Sequence, residues 1–200
     1  IQNTSRITLL ARSGSLSSLY RLVSAVNTNT SDGLLTIDLL ERFNQYSKNL
    51  IALLGPDSAL NKNLTQRKEG AALSIYQLVK QHFSTVAIEC VSHLERVNNL
   101  RSTTSAARSL AFAVKNQIPA VITNQVRMLD KSDGPLLDVL DANRKLSFIN
   151  SASVERSNAE AYLKDSQSMH QIADQIARAA GESSSRGLLK TTADISLECE

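Results

Sequence analysis

Apolar side chains recur at steps of three and four residues along most of the chain, which is the spacing of one face of an α-helix. The longest of these stripes has seven members: Tyr76, Val79, Phe83, Val86, Cys90, Leu94 and Val97. Shorter stripes extend the pattern from Leu16 to Ala180. No alternation of apolar and polar residues is long enough to predict a strand.

We therefore predict an all-α fold, an up-and-down antiparallel bundle of five or six helices joined by short loops. Residues 27–33 and Gly55-Pro56 separate stripes, as expected for a turn and a helix end. A further turn at residues 130–135 marks a sub-boundary. Residues 1–180 thus form one bundle or two sub-bundles that share a long helix, and residues 181–200 form a flexible tail. The core is expected to include Leu50, Phe83, Leu110 and Leu140.

Composition agrees with helix packing and argues against two classes of partner. Aromatic residues make up 4% of the chain and Trp is absent, so Leu, Ile, Val and Ala must fill the core. The net charge is +3, but the longest basic runs are the pairs Arg67–Lys68 and Arg144–Lys145, so we expect no nucleic acid partner. No apolar run reaches the roughly 18 residues of a membrane span, and we expect no direct membrane insertion.

The residues that could carry chemistry do not form a known catalytic or metal-binding constellation. His82 and His93 are eleven residues apart, about 16 Å along a helix, and His170 has no neighbouring Cys. Cys90 lies on an apolar stripe, where a thiol behaves as a small hydrophobe. With only Cys90 and Cys199 present, a reducing compartment is the default. The sequence therefore predicts a protein that is not an enzyme and holds no cofactor or metal.

Four segments together resemble the repeated four-helix unit of the vinculin and α-catenin family. They are LYRLVSAVNTNTSDG, LLERFNQYSKNLIALL, GAALSIYQLVKQHFSTVAIECV and LRSTTSAARSLAFAVKNQI, within residues 18–118. In the last segment, residues 106–114 are similar to the AAxxLAxxV helix that talin and its relatives present to vinculin. The resemblance implies a cytoplasmic scaffold at adhesion sites or cell junctions, which links them to the actin cytoskeleton.

The same helix is the candidate partner-binding element. Its small side chains bury little area, and Pro119 removes a backbone donor and predicts a kink or boundary near Gln117. The candidate residues are Ala106, Ala107, Leu110, Ala111, Val114 and Ile118. The expected partner is a protein, in the form of an amphipathic helix from a cytoskeletal or adhesion protein. Two other interpretations stay open: an extracytoplasmic ligand-sensing helical domain of a bacterial chemoreceptor or sensor kinase, and a bacterial effector.

Overall fold

A mixed sheet lies at the centre of the protein in the computed structural model, which describes residues 5–146 and 158–199. About 54% of the described residues are helical and 11% belong to the four-stranded sheet, so the fold is α/β and the predicted all-α bundle is wrong. The strands are β1 (Thr8–Ala11), β2 (Leu50–Leu54), β3 (Thr85–Cys90) and β4 (Ala120–Ile122). They lie in that order in the sheet. β1 is antiparallel to β2, whereas β2, β3 and β4 are parallel.

Helices connect the strands and cover the sheet. Between β1 and β2 lie α1 (Leu16–Asn29), α2 (Ile37–Arg42) and α3 (Asn44–Ser47). The β2–β3 connection holds α4 (Ala59–Thr65) and α5 (Glu69–His82), and the β3–β4 connection holds α6 (Thr103–Lys115). After β4 come a 3₁₀ turn (Lys131–Asp133), α7 (Gly134–Arg144), α8 (Ser166–Ala180) and α9 (Arg186–Glu198). None of the described helices is long and apolar enough to cross a membrane.

Each strand lies inside a segment whose apolar spacing predicts a helix. β2 has the sequence LIALL and β3 the sequence TVAIEC, and both are buried on both faces, which removes the alternation typical of a half-exposed strand. Val86 and Cys90 are four residues apart, an even number, so they share one face in a strand as well as in a helix. A spacing of four residues therefore did not distinguish the two structures.

The two faces of the sheet pack against different residues. Leu50, Ala52 and Leu54 of β2 join the larger core cluster, which also holds side chains from α1, α4, α5, α6 and α8. The intervening Ile51 and Leu53 lie on the other face, in a smaller cluster with Ala87, Val121 and Ile195. The predicted burial of Leu50, Phe83 and Leu110 is confirmed. The predicted burial of Leu140 is wrong, because α7 turns Leu137 inward and leaves Leu140 exposed.

Both ends of the described chain are tied into the fold. In place of the expected flexible tail, α9 packs along β4 with Leu188 and Ile195 buried. The side chain of Arg12, directly after β1, pairs with the Glu198 carboxylate at 2.8 Å. The same guanidinium donates to the hydroxyl of Ser84 at 2.6 Å, next to the start of β3. A single arginine thus links β1, β3 and α9.

Candidate functional site

Polar residues collect at the edge of the sheet where β2, β3 and β4 end. These strands are parallel, so their carboxyl ends meet at one edge, and each is followed by polar side chains. Asp57 follows β2, His93 follows β3, and Asn124 and Gln125 follow β4. Ligands of open α/β sheets bind outside the carboxyl ends of the strands. This edge is therefore the candidate site.

Glu89, near the end of β3, is the centre of a hydrogen-bond network, although the residue is only 6% exposed. Its carboxylate accepts from the Thr123 hydroxyl at 2.6 Å and from the Gln125 amide nitrogen at 3.0 Å. The Gln125 amide oxygen accepts from Nε of Arg101 at 3.1 Å. Arg101 also donates to the Asp57 carboxylate at 2.5 Å. The network joins the segments that follow β2 and β4 to the last residues of β3.

The backbone at this edge is shaped to bring these groups together. A Cβ atom at Gly55 would lie 2.1 Å from Oε2 of Glu89, so only glycine leaves room for the carboxylate there. Leu94 and Gln125 have φ values of +54° and +42°, in the left-handed region that residues other than glycine rarely adopt. Such backbone strain is concentrated at functional sites in proteins.

His93 enters the site as a neutral hydrogen-bonding group. Its Nε2 lies 2.8 Å from the backbone carbonyl oxygen of Asn124. Because a carbonyl can only accept, Nε2 carries the proton and Nδ1 is left as an acceptor. Burial lowers the pKa of His93, and the hydrogen bond to Asn124, which favours the charged form, does not offset it. The nearby charges of Arg101 and Lys164 also lower that pKa.

Lys164 holds the segment that precedes α8 against the end of β4. Its side chain is 3% exposed, and its ammonium donates to the Asn124 side-chain oxygen at 3.3 Å and to the carboxylate and backbone carbonyl of Glu160. These contacts use the three N–H donors of the ammonium, so Lys164 links Glu160 to Asn124 and is not a free nucleophile. Burial raises the pKa of Glu160, but hydrogen bonds from Lys131 and Lys164 outweigh it and the net shift is downward.

An open cleft of about 330 Å³ lies over this edge, and we call it the strand-end cleft. Five cationic side chains line it: Arg6, Arg101, Arg127, Arg144 and Lys145. Three carboxylates line it as well: Asp57, Glu95 and Asp141. Arg127 binds both oxygens of Asp141, at 2.9 and 2.7 Å, which lowers the pKa of Asp141. The Arg6 side chain has no partner among the described residues. The cleft is therefore positively charged.

The candidate partner-binding residues lie elsewhere. Four of them are buried around α6: Ala106, Ala107, Leu110 and Ile118. Ala111 is partly exposed and Val114 is 49% exposed. α6 packs mainly against α8 and β3, and none of the six residues lines the strand-end cleft. The structure thus does not bring the six together on one accessible surface.

The three histidines lie in different parts of the fold. His82 is buried at the end of α5, His93 follows β3, and His170 lies on the exposed face of α8. Within residues 5–146 and 158–199, no group of three or more His, Cys, Asp or Glu side chains could hold a metal ion.

Sequence reasoning missed the residues of the strand-end cleft. Each of three short apolar runs has a polar residue within three positions of its end: LIALL is followed by GPD, TVAIEC by VSH, and AVI by TNQ. Interpreted as parallel strands, these runs would have brought Asp57, His93 and Gln125 to one edge. Interpreted as helices, they placed Asp57 in a loop and put His93 and Gln125 on two separate helices.

No protein-family model matches the chain, and no curated protein matches it significantly by sequence. The fold and the strand-end cleft therefore define the class of the protein: an α/β protein with a cationic cleft at the carboxyl ends of its parallel strands.

Proposed function

We propose that the protein binds a small phosphate-bearing ligand in the strand-end cleft. The observation that carries the proposal is the excess of cations, five against three carboxylates, at the edge where α/β sheets bind ligands. The planar guanidinium group presents paired N–H donors that match two phosphate oxygens. A cleft lined by four arginines and a lysine suits a tetrahedral, multiply charged anion better than a neutral molecule.

The arginines that already have partners are positioned for this role. Arg101 uses two of its five N–H donors, on Gln125 and Asp57, and Arg127 uses two on Asp141. Each carboxylate fixes its guanidinium in place and leaves the other donors available to a ligand. Arg6 has no side-chain partner among the described residues, so its guanidinium donors are available to a ligand.

His93 complements this arrangement. The neutral ring has an acceptor at Nδ1, which can bind the O–H of a monoprotonated phosphate or of a ligand hydroxyl. His93 therefore adds hydrogen-bonding specificity to the cleft without adding charge.

Isothermal titration calorimetry with sodium phosphate, at constant ionic strength against a sodium chloride control, tests the proposal. We expect saturable binding. We expect Arg6→Gln to weaken it by about tenfold to a hundredfold, because a hydrogen bond to a charged group contributes about 1.5–3 kcal/mol. Arg186→Gln is the matched control, since Arg186 is exposed at the start of α9 and does not line the cleft.

Two results would contradict the proposal. One is heat of dilution only, with no saturable phosphate binding. The other is an equal loss in the Arg6→Gln and Arg186→Gln variants, which would show that the protein attracts phosphate through its overall charge.

A further inference from the structure

A second, smaller cavity lies between α4, the start of α5 and α6. Its volume is about 280 Å³, and we call it the α6 notch. Leu64, Ala111 and Phe112 supply its apolar surface. Leu64 and Phe112 are themselves buried, whereas Ala111 is partly exposed. Because Ala111 is small, it leaves open the space that a larger side chain would fill.

The rim of the α6 notch is cationic. Arg67, Arg108 and Lys115 line it together with a single carboxylate, Glu69. Lys115 pairs with Glu69 at 2.7 Å. Neither Arg67 nor Arg108 has a side-chain partner among the described residues. Two guanidinium groups beside an apolar surface are thus available to an acidic partner.

The charges and the apolar surface alternate along one face of α6. Arg108, Ala111, Phe112 and Lys115 are spaced by three, one and three residues, which places them on the same helical face. Arg108 and Lys115 are about 10 Å apart along the helix axis, with the apolar pair between them. A partner that lies along α6 therefore meets a cation, an apolar surface and a second cation in turn.

We propose that the α6 notch docks an acidic amphipathic helix of a protein partner. One apolar side chain of that helix fills the notch. Carboxylates three or four residues before and after it reach Arg108 on one side and the Lys115 end on the other, because one helical turn spans the distance from the apolar pair to each. A cavity of 280 Å³ is smaller than the sites of drug-sized ligands and fits a single anchoring side chain. This proposal does not depend on phosphate binding in the strand-end cleft.

Fluorescence anisotropy with a labelled 15-residue helical peptide tests it. The peptide has a central Leu, Glu residues four positions before and after it, and Ala and Gln elsewhere. Two matched peptides replace the Leu by Ser, or both Glu residues by Lys. We expect the leucine–glutamate peptide to bind at least tenfold more tightly than either. Arg108→Glu and Ala111→Glu should each weaken it by at least tenfold, and Arg186→Glu should change it less than twofold.

Equal binding of the three peptides, or no binding of any, overturns the proposal. So does full affinity in the Arg108→Glu variant. If that variant fails to fold by circular dichroism, Lys115→Glu replaces it, because the Lys115 side chain is 68% exposed and its substitution leaves the core unchanged. Unchanged affinity in Lys115→Glu would then place the peptide elsewhere.

Discussion

Gly55 lies against the Glu89 carboxylate, and the methyl group of an alanine there would displace it. We expect Gly55→Ala to lower the free energy of unfolding by about 1.5–3 kcal/mol, because the carboxylate would lose its hydrogen bonds to Thr123 and Gln125. Urea denaturation measures this change. Gly70→Ala is the control: Gly70 lies in α5 with open space around it, so alanine should stabilise the helix slightly.

Gly55→Ala in a Glu89→Ala background tests whether the collision with the Glu89 carboxylate causes the loss of stability. With the carboxylate removed, a Cβ at position 55 has little to displace, so the second substitution should cost far less than in the wild type. An equal cost in both backgrounds would mean that the collision with Glu89 does not determine the residue at position 55.

His93 gives stability a pH dependence that is separate from that of the acidic residues. Burial lowers the pKa of His93 in the folded state below its ordinary 6.5, so the unfolded chain binds the proton more tightly. The stability that neutral His93 contributes is therefore fully present above pH 6.5, and it is lost as the pH falls from 6.5 towards the pKa of the folded state. The pKa values of Asp141 and Glu160 are also lowered, but they act in a window below about pH 4.5.

Urea denaturation between pH 7.5 and 5 tests this dependence. We expect the wild type to lose stability with falling pH more steeply than His93→Gln, whose amide can still donate to the Asn124 carbonyl but does not titrate. Parallel pH profiles for the two proteins would show that His93 is not the group responsible.

At the scale of single elements, α7 shows that a leucine in an apolar helical pattern can be exposed. Leu137 is 8% exposed and packs with Met128 and Ala161, whereas Leu140 is 55% exposed. We expect Leu137→Ala to lower the free energy of unfolding by about 2–3 kcal/mol. Leu140→Ala should change it by less than about 0.5 kcal/mol. Thermal or urea denaturation of the two variants distinguishes them, and equal losses would contradict the packing of α7.

The longest apolar stripe, from Tyr76 to Val97, shows what the sequence could predict and what it could not. Tyr76, Val79, Phe83, Val86 and Cys90 all contribute to the larger core cluster, so the prediction of an inward-facing row was correct up to Cys90. The row nevertheless runs from α5 into β3, and Leu94 and Val97 beyond it are exposed. Apolar spacing thus predicted that these five residues pack into the core, whereas the choice between helix and strand depends on neighbours far away in the sequence.

At the scale of the whole molecule, the strand-end cleft depends on contacts between distant parts of the chain. Asp57 and Arg101 are 44 residues apart, and His93 and Asn124 are 31 apart. No local motif joins them, because the pairing of β2, β3 and β4 is what brings them together. The sequence therefore revealed the polar residues singly, and only the sheet topology made them one site.

The packing of α9 has a consequence for how the protein is made. Ile51, Leu53, Ala87 and Val121 share one face of the sheet with Ile195. On the ribosome those four are synthesised well before Ile195, and translation adds about 5–20 residues per second. The 74 residues from Val121 to Ile195 therefore take about 4–15 seconds to add, and during that interval the nascent chain lacks the Ile195 contact with these four side chains. In that interval the nascent chain exposes these apolar side chains to chaperones and to aggregation. The interval ends when α9 leaves the exit tunnel.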